Sequence, residues 1–579
     1  MTSTHPPFLL AQSEPAGGAA LEEILWASAV GLALVIVALA FGRMHRLGKT
    51  QLLTRMGDLA GRVTGLPAWA ALPTAIAAAA LLTAVFGFYW DVATHIDNGR
   101  DPGPFANAAH YLIIFGLLGI AFAGFTGALL GADRSVRSSI RFSDEWFVPV
   151  GALLLIVCGS IAVLGFPLDD IWHRIFGQDV TLWGPTHIQM VGGAALSTLA
   201  LWVLVVEGIR ARGDSIQLRA RFRVEEALVA GAFLIGVSAL QAEFDYSVPQ
   251  FRLLFHPVLL ALSAAVALVP ARIRLGRGGA LAAVGFFLLV RGIVSLLVGP
   301  VLGHTTLHFP LYIVEAVAIE LLALRVAPVQ QVRFGAWCGL LVGTVGLAAE
   351  WAWSHLWMTM SWPAALWPDA LLAVLAGVAG GILGGFIGRE LSQHTMEVGS
   401  RVLALGTGIA IVACLVYPLP IASLEGRAAL QVSAPHAPAS SVRVELEPVD
   451  LARDALWFNV TAWQGSGSVV APLEPVGDGA YRSTEVPIAA DWKALLRLHT
   501  EDAIVAVPIY LPSDPAIPAP GVQAEPNVVR DFVPDKKILL REAKETPAWF
   551  SVVGYAVLGL IVLVWIATLG WGLRRMSPL

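Results

Sequence analysis

The sequence predicts a polytopic α-helical membrane protein of about thirteen transmembrane helices with a C-terminal extracytoplasmic β-sandwich. Three observations predict it. The 579 residues are 56% hydrophobic and 14% charged, with a mean hydropathy of +0.71. Apolar runs near the 20 residues that cross a hydrocarbon core recur along the chain. One long polar stretch, 421–547, alternates with the two-residue period of strands before a final apolar run. The first two observations exclude a soluble enzyme.

Taken in order, the predicted spans are roughly 22–42, 68–89, 109–131, 147–166, 187–207, 225–243, 254–270, 279–298, 308–325, 335–350, 369–388, 402–420 and 548–573. This divides the chain into a multi-helix region 1–420, a polar domain 421–547 and a C-terminal anchor 548–579. Arginine and lysine concentrate in alternate loops: Arg43, Arg46, Lys49, Arg55 and Arg62; then Arg134, Arg137 and Arg141; then Arg210, Arg212, Arg219, Arg221 and Arg223. Later loops of that parity hold Arg272, Arg274 and Arg277, then Arg325 and Arg333, then Arg389 and Arg401, and the tail has Arg574 and Arg575. The opposite loops show Arg100, Arg174 and Arg252. By the positive-inside rule the arginine-rich loops face the cytoplasm, and the N-terminus and 421–547 lie outside. Residues 1–42 contain no Lys or Arg, so the first span lacks the basic region of a cleaved signal. The expected location is a bacterial cytoplasmic membrane.

Two stretches on the predicted outer side repeat one pattern. Asp91-x3-His95-x3-Gly99-x-Asp101 is followed by His110, and Asp169-x3-His173-x3-Gly177-x-Asp179 is followed by His187. An Asp and a His four apart share one helix face, and the second His returns from the next segment, so each copy can bring three metal ligands to one point. Carboxylates and histidines also crowd at membrane interfaces for solvation alone, but repetition of the spacing argues against that. His256, His304, His308 and His355 fall on the same side, with Asp245, Glu350 and Asp369 at the same level. Together with Asp101 and Asp179 they are candidates to orient the ligating imidazoles.

Cys158, Cys338 and Cys414 all lie within predicted spans, which leaves no CxxC pair, haem-attachment motif or outer disulfide framework. The ligand set is therefore imidazole and carboxylate, joined by thioether if Met358 and Met360 take part rather than pack beside Trp351, Trp353, Trp357 and Trp362. Imidazole suits copper, iron and zinc alike, and thioether favours copper(I). The two copies differ in setting: Asp97 and Asn98 surround the first, whereas Trp172, Ile175, Phe176 and Trp183 surround the second. Trp172, Phe176 and Trp183 are the expected walls of a substrate pocket, or else interface anchors. Within the spans, Arg291 and Glu315 lie at similar depth and are expected to form a buried ion pair. Glu320, one turn further, suits a proton path or a buried hydrogen bond.

The run Trp90-Asp91-Val-Ala-Thr-His95-Ile-Asp-Asn-Gly-Arg100-Asp101 through Phe105 to His110 resembles the copper-binding segment in the C subunit of the copper membrane monooxygenases, the particulate methane and ammonia monooxygenases. The resemblance covers about 25 residues, or about 45 with the second copy, and implies that Asp91, His95 and His110 are copper ligands. In 421–547, Val442–Leu446, Leu456–Ala462 and Ile504–Leu511 read as strands of a small sandwich. The stretch from Gly477 through Trp492 to His499 is similar to immunoglobulin-like domains of bacterial copper-handling membrane proteins.

The function expected is a membrane-embedded, copper-dependent, monooxygenase-like oxidoreductase with its site at the outer face. The alternatives are a copper transport or assembly protein and a structural accessory subunit of a respiratory complex. A Met- or Cys-rich relay would favour transport, and the chain has 8 Met and 3 Cys. Expected partners are the lipid bilayer, further membrane subunits and a periplasmic electron or metal donor. Nucleic acid is not expected, since net charge is −5 and the basic residues follow membrane topology.

Overall fold

A computed structural model describes residues 18–98, 103–131, 136–177, 181–213, 220–328, 330–392, 400–417, 421–464, 467–489, 491–513, 520–539, 546–547 and 549–576. Asp101 and Asp179 lie outside the described residues, as do Arg100, Arg134 and Arg219.

All thirteen predicted spans are helical. They are α1 (Leu21–Arg46), α3 (Ala68–Asn98), α4 (Ala108–Leu130), α5 (Val150–Phe176), α6 (Pro185–Ala211), α7 (Arg223–Asp245), α8 (Phe255–Leu275), α9 (Gly279–Val301), α10 (Ile313–Arg325), α11 (Gln331–Trp357), α12 (Ala370–Leu391), α13 (Ser400–Val416) and, at the C-terminal end, α15 (Trp549–Arg575). Eleven are long and apolar enough to cross a membrane; α10 and α13 are shorter. Hydropathy understates α3 and α5. It falls where Asp91 and Asp169 enter, yet the helices run on to 31 and 27 residues, because backbone hydrogen bonding continues through polar side chains. Two elements escaped the sequence reading. An amphipathic α2 (Leu52–Thr64) buries Leu53 and Gly57, and a hairpin of β1 (Ile140–Ser143) and β2 (Trp146–Val148) precedes α5.

Helices α3 to α6 pack in a ring, each against the next and α6 back against α3. The internal repeat extends to their packing. Gly87 and Gly165 stand four residues before Asp91 and Asp169. A Cβ on Gly87 would lie 3.0 Å from the carbonyl oxygen of Ala109, the residue before His110; one on Gly165 would lie 3.3 Å from that of Thr186, the residue before His187. Gly116 and Gly193, each six residues after the last histidine of its copy, press on Ala84 and Ala162, each seven residues before the aspartate. The chain therefore contains two helical hairpins of one design, running in the same direction.

The arginine-bearing end is held by buried acids. Glu207 accepts from the hydroxyl of Ser138 (2.5 Å) and from the N–H groups of Val150 (3.1 Å) and Gly151 (2.8 Å) at the start of α5. Arg274 pairs with Glu226 at 2.6 Å. Glu320 belongs here as well: it pairs with Arg272 at 2.9 Å and accepts from the N–H groups of Gly278 and Ala280. It caps α9, the hydrogen-bonded role of the two expected for it, rather than a place in a proton path.

After the helices comes the sheet domain: β3 (Arg427–Val432), β4 (Val442–Glu447), β5 (Trp457–Gln464), β6 (Gly467–Gly477), β7 (Ala480–Ser483), β8 (Lys493–His499), β9 (Ile504–Tyr510), β10 (Asn527–Asp531), β11 (Val533–Pro534) and a short α14 (Asp535–Leu539). Strand order is β10-β3-β4-β7-β6-β5-β8-β9-β11, antiparallel throughout. The start of β6 pairs with β5 and its end with β7, so one strand turns the corner between the two layers. At the far side β10 pairs with β3 while the adjoining β11 pairs with β9, and Arg530 of β10 donates to the carbonyls of Pro508 and Ile509. The two layers thus make one nearly closed, barrel-like sheet. It docks on the bundle end that carries the repeats: Trp457 donates to the carbonyl of Ser361 at 2.9 Å, Arg252 to that of Glu501 at 2.8 Å, and Lys493 to that of Asn98 at 3.1 Å.

Candidate metal centres

Each repeat closes into a triad. Asp91 and His95 sit one turn apart near the end of α3, and His110 is the third residue of α4. Asp169 and His173 occupy the same places on α5, and His187 is the third residue of α6. In each triad one ligand atom per residue lies within 4.8 Å of the others. Oδ1 of Asp91 is 3.0 Å from Nε2 of His110 and 3.6 Å from Nε2 of His95. Asp169 is 3.4 Å from Nε2 of His187 and 3.6 Å from Nε2 of His173. Two atoms bound at about 2.0–2.1 Å to one tetrahedral ion are separated by roughly 3.4 Å, which the aspartate–histidine distances of 3.0–3.6 Å bracket.

The orientation of the second histidine is fixed. Nδ1 of His110 donates to the carbonyl of Pro104 at 2.7 Å, and Nδ1 of His187 to that of Thr181 at 2.9 Å, six residues back in both cases. A carbonyl only accepts, so Nδ1 carries the proton. In a neutral imidazole Nε2 then presents a lone pair to the carboxylate. A lone pair and a carboxylate oxygen 3.0 Å apart repel unless a cation lies between them or Nε2 is protonated too. Each aspartate also has a donor behind it. Asn107 donates to Oδ1 of Asp91 and Thr186 to Oδ1 of Asp169, both at 2.6 Å. The sequence reading missed both residues. Asn107 stands three before its histidine and Thr186 one before, so aligning the repeats does not reveal them; the helix-start position of Asn107 was the available signal.

The triads are neighbours. His187 lies within electrostatic reach of Asp91, and the His110 ring meets Phe166 edge-on at 5.8 Å. Inside the bundle, about one turn from Asp91, His110 and His187, is a cavity of about 250 Å³. Phe88 and Val85 of α3, Ile113 of α4, Met190 and Ala194 of α6 and Phe286 of α9 line it. Phe88, Ile113 and Met190 are each three residues from a ligand. The lining is almost wholly apolar, and Leu82 and Leu228 at its rim are exposed on the outside of the bundle.

The other site candidates have different occupations. Asp245 pairs with Arg291. His256 accepts from Trp362 at 2.9 Å and stacks on Phe244. His304 bonds Asp97 at 3.0 Å through Nδ1 and accepts from Trp90 at Nε2, so Asp97 fastens a loop rather than joining the first triad. The backbone of His308 donates to Asp245 and its ring meets Trp357. Glu350 accepts backbone N–H groups at the start of α10, and His355 donates to the carbonyl of Trp351. The proposal that these residues orient the ligands is corrected accordingly. The expected Arg291–Glu315 pair is likewise corrected: Arg291 pairs with Asp245 because α7 brings that carboxylate nearer.

The aromatic residues of the second copy divide. Trp172 and Phe176 pack together at 4.1 Å, with Tyr555 of α15 edge-on to Trp172 at 6.3 Å. Trp183 turns to Phe251 and Phe255. They form two clusters, not one pocket wall; the continuous apolar space is the cavity inside the bundle. Met358 leaves the end of α11, and Met360 is buried beyond it.

Comparison with protein families, characterised proteins and solved structures finds no match for this chain.

Proposed function

We propose that the chain is a membrane metalloprotein whose two triads, Asp91–His95–His110 and Asp169–His173–His187, each hold a transition metal, copper first among the candidates, and that it is an oxidoreductase acting on a small apolar molecule. The observation that carries this reading is the pair of carbonyl-fixed imidazoles whose Nε2 atoms face a carboxylate at 3.0 and 3.4 Å. The local resemblance of the first triad to copper membrane monooxygenases supports copper over zinc. Three protein ligands leave positions open, where a bound metal would supply redox and Lewis-acid chemistry.

The protein's own part is placement. Asp91 and Asp169 contribute negative charge, Pro104 and Thr181 set the tautomer of the histidines, and the apolar cavity beside Asp91, His110 and His187 excludes water. A hydrophobic substrate partitions into such a space from the bilayer without crossing an aqueous phase. The arginine-rich end is assigned to the cytoplasm, so the triads and the sheet domain face outward in a bacterial cytoplasmic membrane, within reach of a periplasmic electron or metal donor. A second reading, metal transfer, is favoured by the 27% exposure of the His95 side chain, which lets an ion leave toward the sheet domain.

Metal analysis of the purified protein tests both. Two ions per chain that survive dialysis against a chelator, and are lost in a His95→Ala, His173→Ala double variant that still folds, are expected. Ions lost readily to the chelator from the unaltered protein favour transfer. Metal content unchanged by the double variant removes the triads from both readings.

A further inference from the structure

Away from the triads, three carboxylates gather beside one arginine inside the bundle. Arg291 of α9 pairs with Oδ2 of Asp245 at the end of α7, and its guanidinium lies 3.9 Å from the ring centre of Tyr89 and 5.3 Å from that of Phe309. Glu350 of α11 accepts from the N–H groups of Leu311 (3.0 Å) and Tyr312 (2.7 Å), capping the start of α10. Glu315 lies one turn into α10. Its Cγ is 2.5 Å from where a Cβ on Gly346 would stand, and Gly346 is one turn before Glu350 on α11, so Glu315 packs from α10 against α11 one turn from Glu350. A π-helical stretch, Val342–Gly346, ends there, a distortion frequent at functional positions. Asp245 and Glu315 are each within electrostatic reach of Glu350.

The charges do not balance if all ionise. Arg291 is 1% exposed, Asp245 1%, Glu315 0% and Glu350 4%. Among the described residues the guanidinium at this cluster is that of Arg291, and Asp245 uses it. Glu350 has two backbone donors that support a negative charge. Among the described residues Glu315 has no paired cation, and the one donor within reach of its buried oxygens is its own backbone N–H; Oδ1 of Asp245 is buried without a partner. An unsolvated carboxylate in that position is strongly disfavoured, and binding a proton removes the cost. The other titratable groups facing the cluster are phenols. Tyr312 is engaged with Gln241, Tyr246 donates to the carbonyl of Tyr89, and the Tyr89 hydroxyl is unpartnered. A phenol gives up its proton far less readily than a carboxyl.

We infer that Glu315 and Glu350 are a proton-binding pair in the bundle interior that holds one proton between two carboxyls, with the Asp245–Arg291 pair as fixed, self-neutralising surroundings. Transfer breaks the O–H bond on Glu315 and forms one on Glu350, moving one proton and one charge from α10 to α11 with no change of oxidation state. The pair titrates as a unit. None of these residues belongs to either triad, so the inference stands apart from the metal reading.

Infrared spectroscopy of the full chain in lipid nanodiscs tests it, with and without metal removed. At neutral pH the unaltered protein is expected to show the C=O stretch of a protonated carboxyl, shifted in heavy water. The band should be lost in Glu315→Gln and displaced in Glu350→Gln. If those variants fail to fold, labelling glutamate carboxyls with heavy carbon in the unaltered protein must move the band. No protonated carboxyl at neutral pH, a band indifferent to both variants or to the glutamate label, or a band abolished by sodium at constant pH would each overturn the proposal. The last outcome would make the cluster a cation site instead.

Discussion

The hydroxyl of Thr186 donates to Oδ1 of Asp169 at 2.6 Å, the oxygen that also faces His187. That bond leaves the carboxylate one orientation, and Asn107 does the same for Asp91. Thr186→Val and Asn107→Leu should each weaken metal binding at their own triad by about 10–100-fold, the usual effect of losing a group that orients a ligand. Competition with a chelator of known affinity measures it. Equal affinity in the variants and the unaltered chain would mean that these aspartates are not ligands.

Much of this arrangement was legible beforehand. The aspartate and histidine spacings named both triads because a helix face is a matter of counting, and the thirteen helices followed from apolar length. What escaped depended on three-dimensional neighbours. Arg291 and Glu315 lie at matching depth on consecutive helices, yet Asp245 takes the arginine, since depth along a helix says nothing of which face it presents. Asn107 and Thr186 occupy different places in the two repeats, so no alignment pairs them. The cavity has no sequence signal at all: Phe88, Ile113 and Met190 read as ordinary lipid-spanning residues until five helices enclose a space between them.

Gly87 should be less tolerant than Gly165, although they occupy equivalent places. A Cβ on Gly87 meets Leu112 Cβ at 2.7 Å and the Ala109 carbonyl at 3.0 Å, atoms tied to the backbone, whereas on Gly165 the nearest atom is Cγ of the flexible Met190. Overpacking of this kind costs about 1–3 kcal/mol, against about 1 kcal/mol gained from helix propensity on replacing glycine by alanine. Gly87→Ala should therefore lower the thermal midpoint and loosen the first triad, and Gly165→Ala should be near neutral. Gly285→Ala, where nothing lies within 4 Å, serves as the control and should be neutral or slightly stabilising. A midpoint for Gly87→Ala equal to that control would show that α3 and α4 are not in this register.

Filling the cavity should separate substrate binding from metal binding. Ala194 lines it two turns along α6 from His187, and Ala194→Phe places a ring in the space while leaving every ligand and every hydrogen bond to a ligand in position. Uptake of a small apolar guest, followed by xenon-129 NMR or by turnover of a hydrocarbon, should fall at least several-fold with metal content unchanged. Loss of metal along with guest uptake would mean that the cavity supports the triads structurally and does not admit a substrate.

Acid should loosen the sheet domain from the bundle through His499. The ring is 2% exposed at the end of β8, its Nε2 has no partner among the described residues, and Trp457 covers it at 5.3 Å. Burial, reinforced by the charge of neighbouring Arg497, holds its pKa well below the usual histidine range. The sign follows from linkage: the unfolded chain binds a proton near pH 6.5 and the folded domain does not, so the domain keeps its full stability above that pH. Stability declines as pH falls toward the depressed folded value, by at most about 1.4 kcal/mol per pH unit for this one group. Trp457 also donates to the carbonyl of Ser361, so the first consequence should appear where β5 meets the bundle. Hydrogen exchange of the intact protein at pH 7 and pH 5, corrected for the intrinsic rates, should show β5 and β8 losing protection in acid while α3 to α6 do not. His499→Phe, which fills the same space without a titrating nitrogen, should flatten that difference. If the pH dependence persists unchanged in His499→Phe, the acid response arises elsewhere and His499 is only a packing residue.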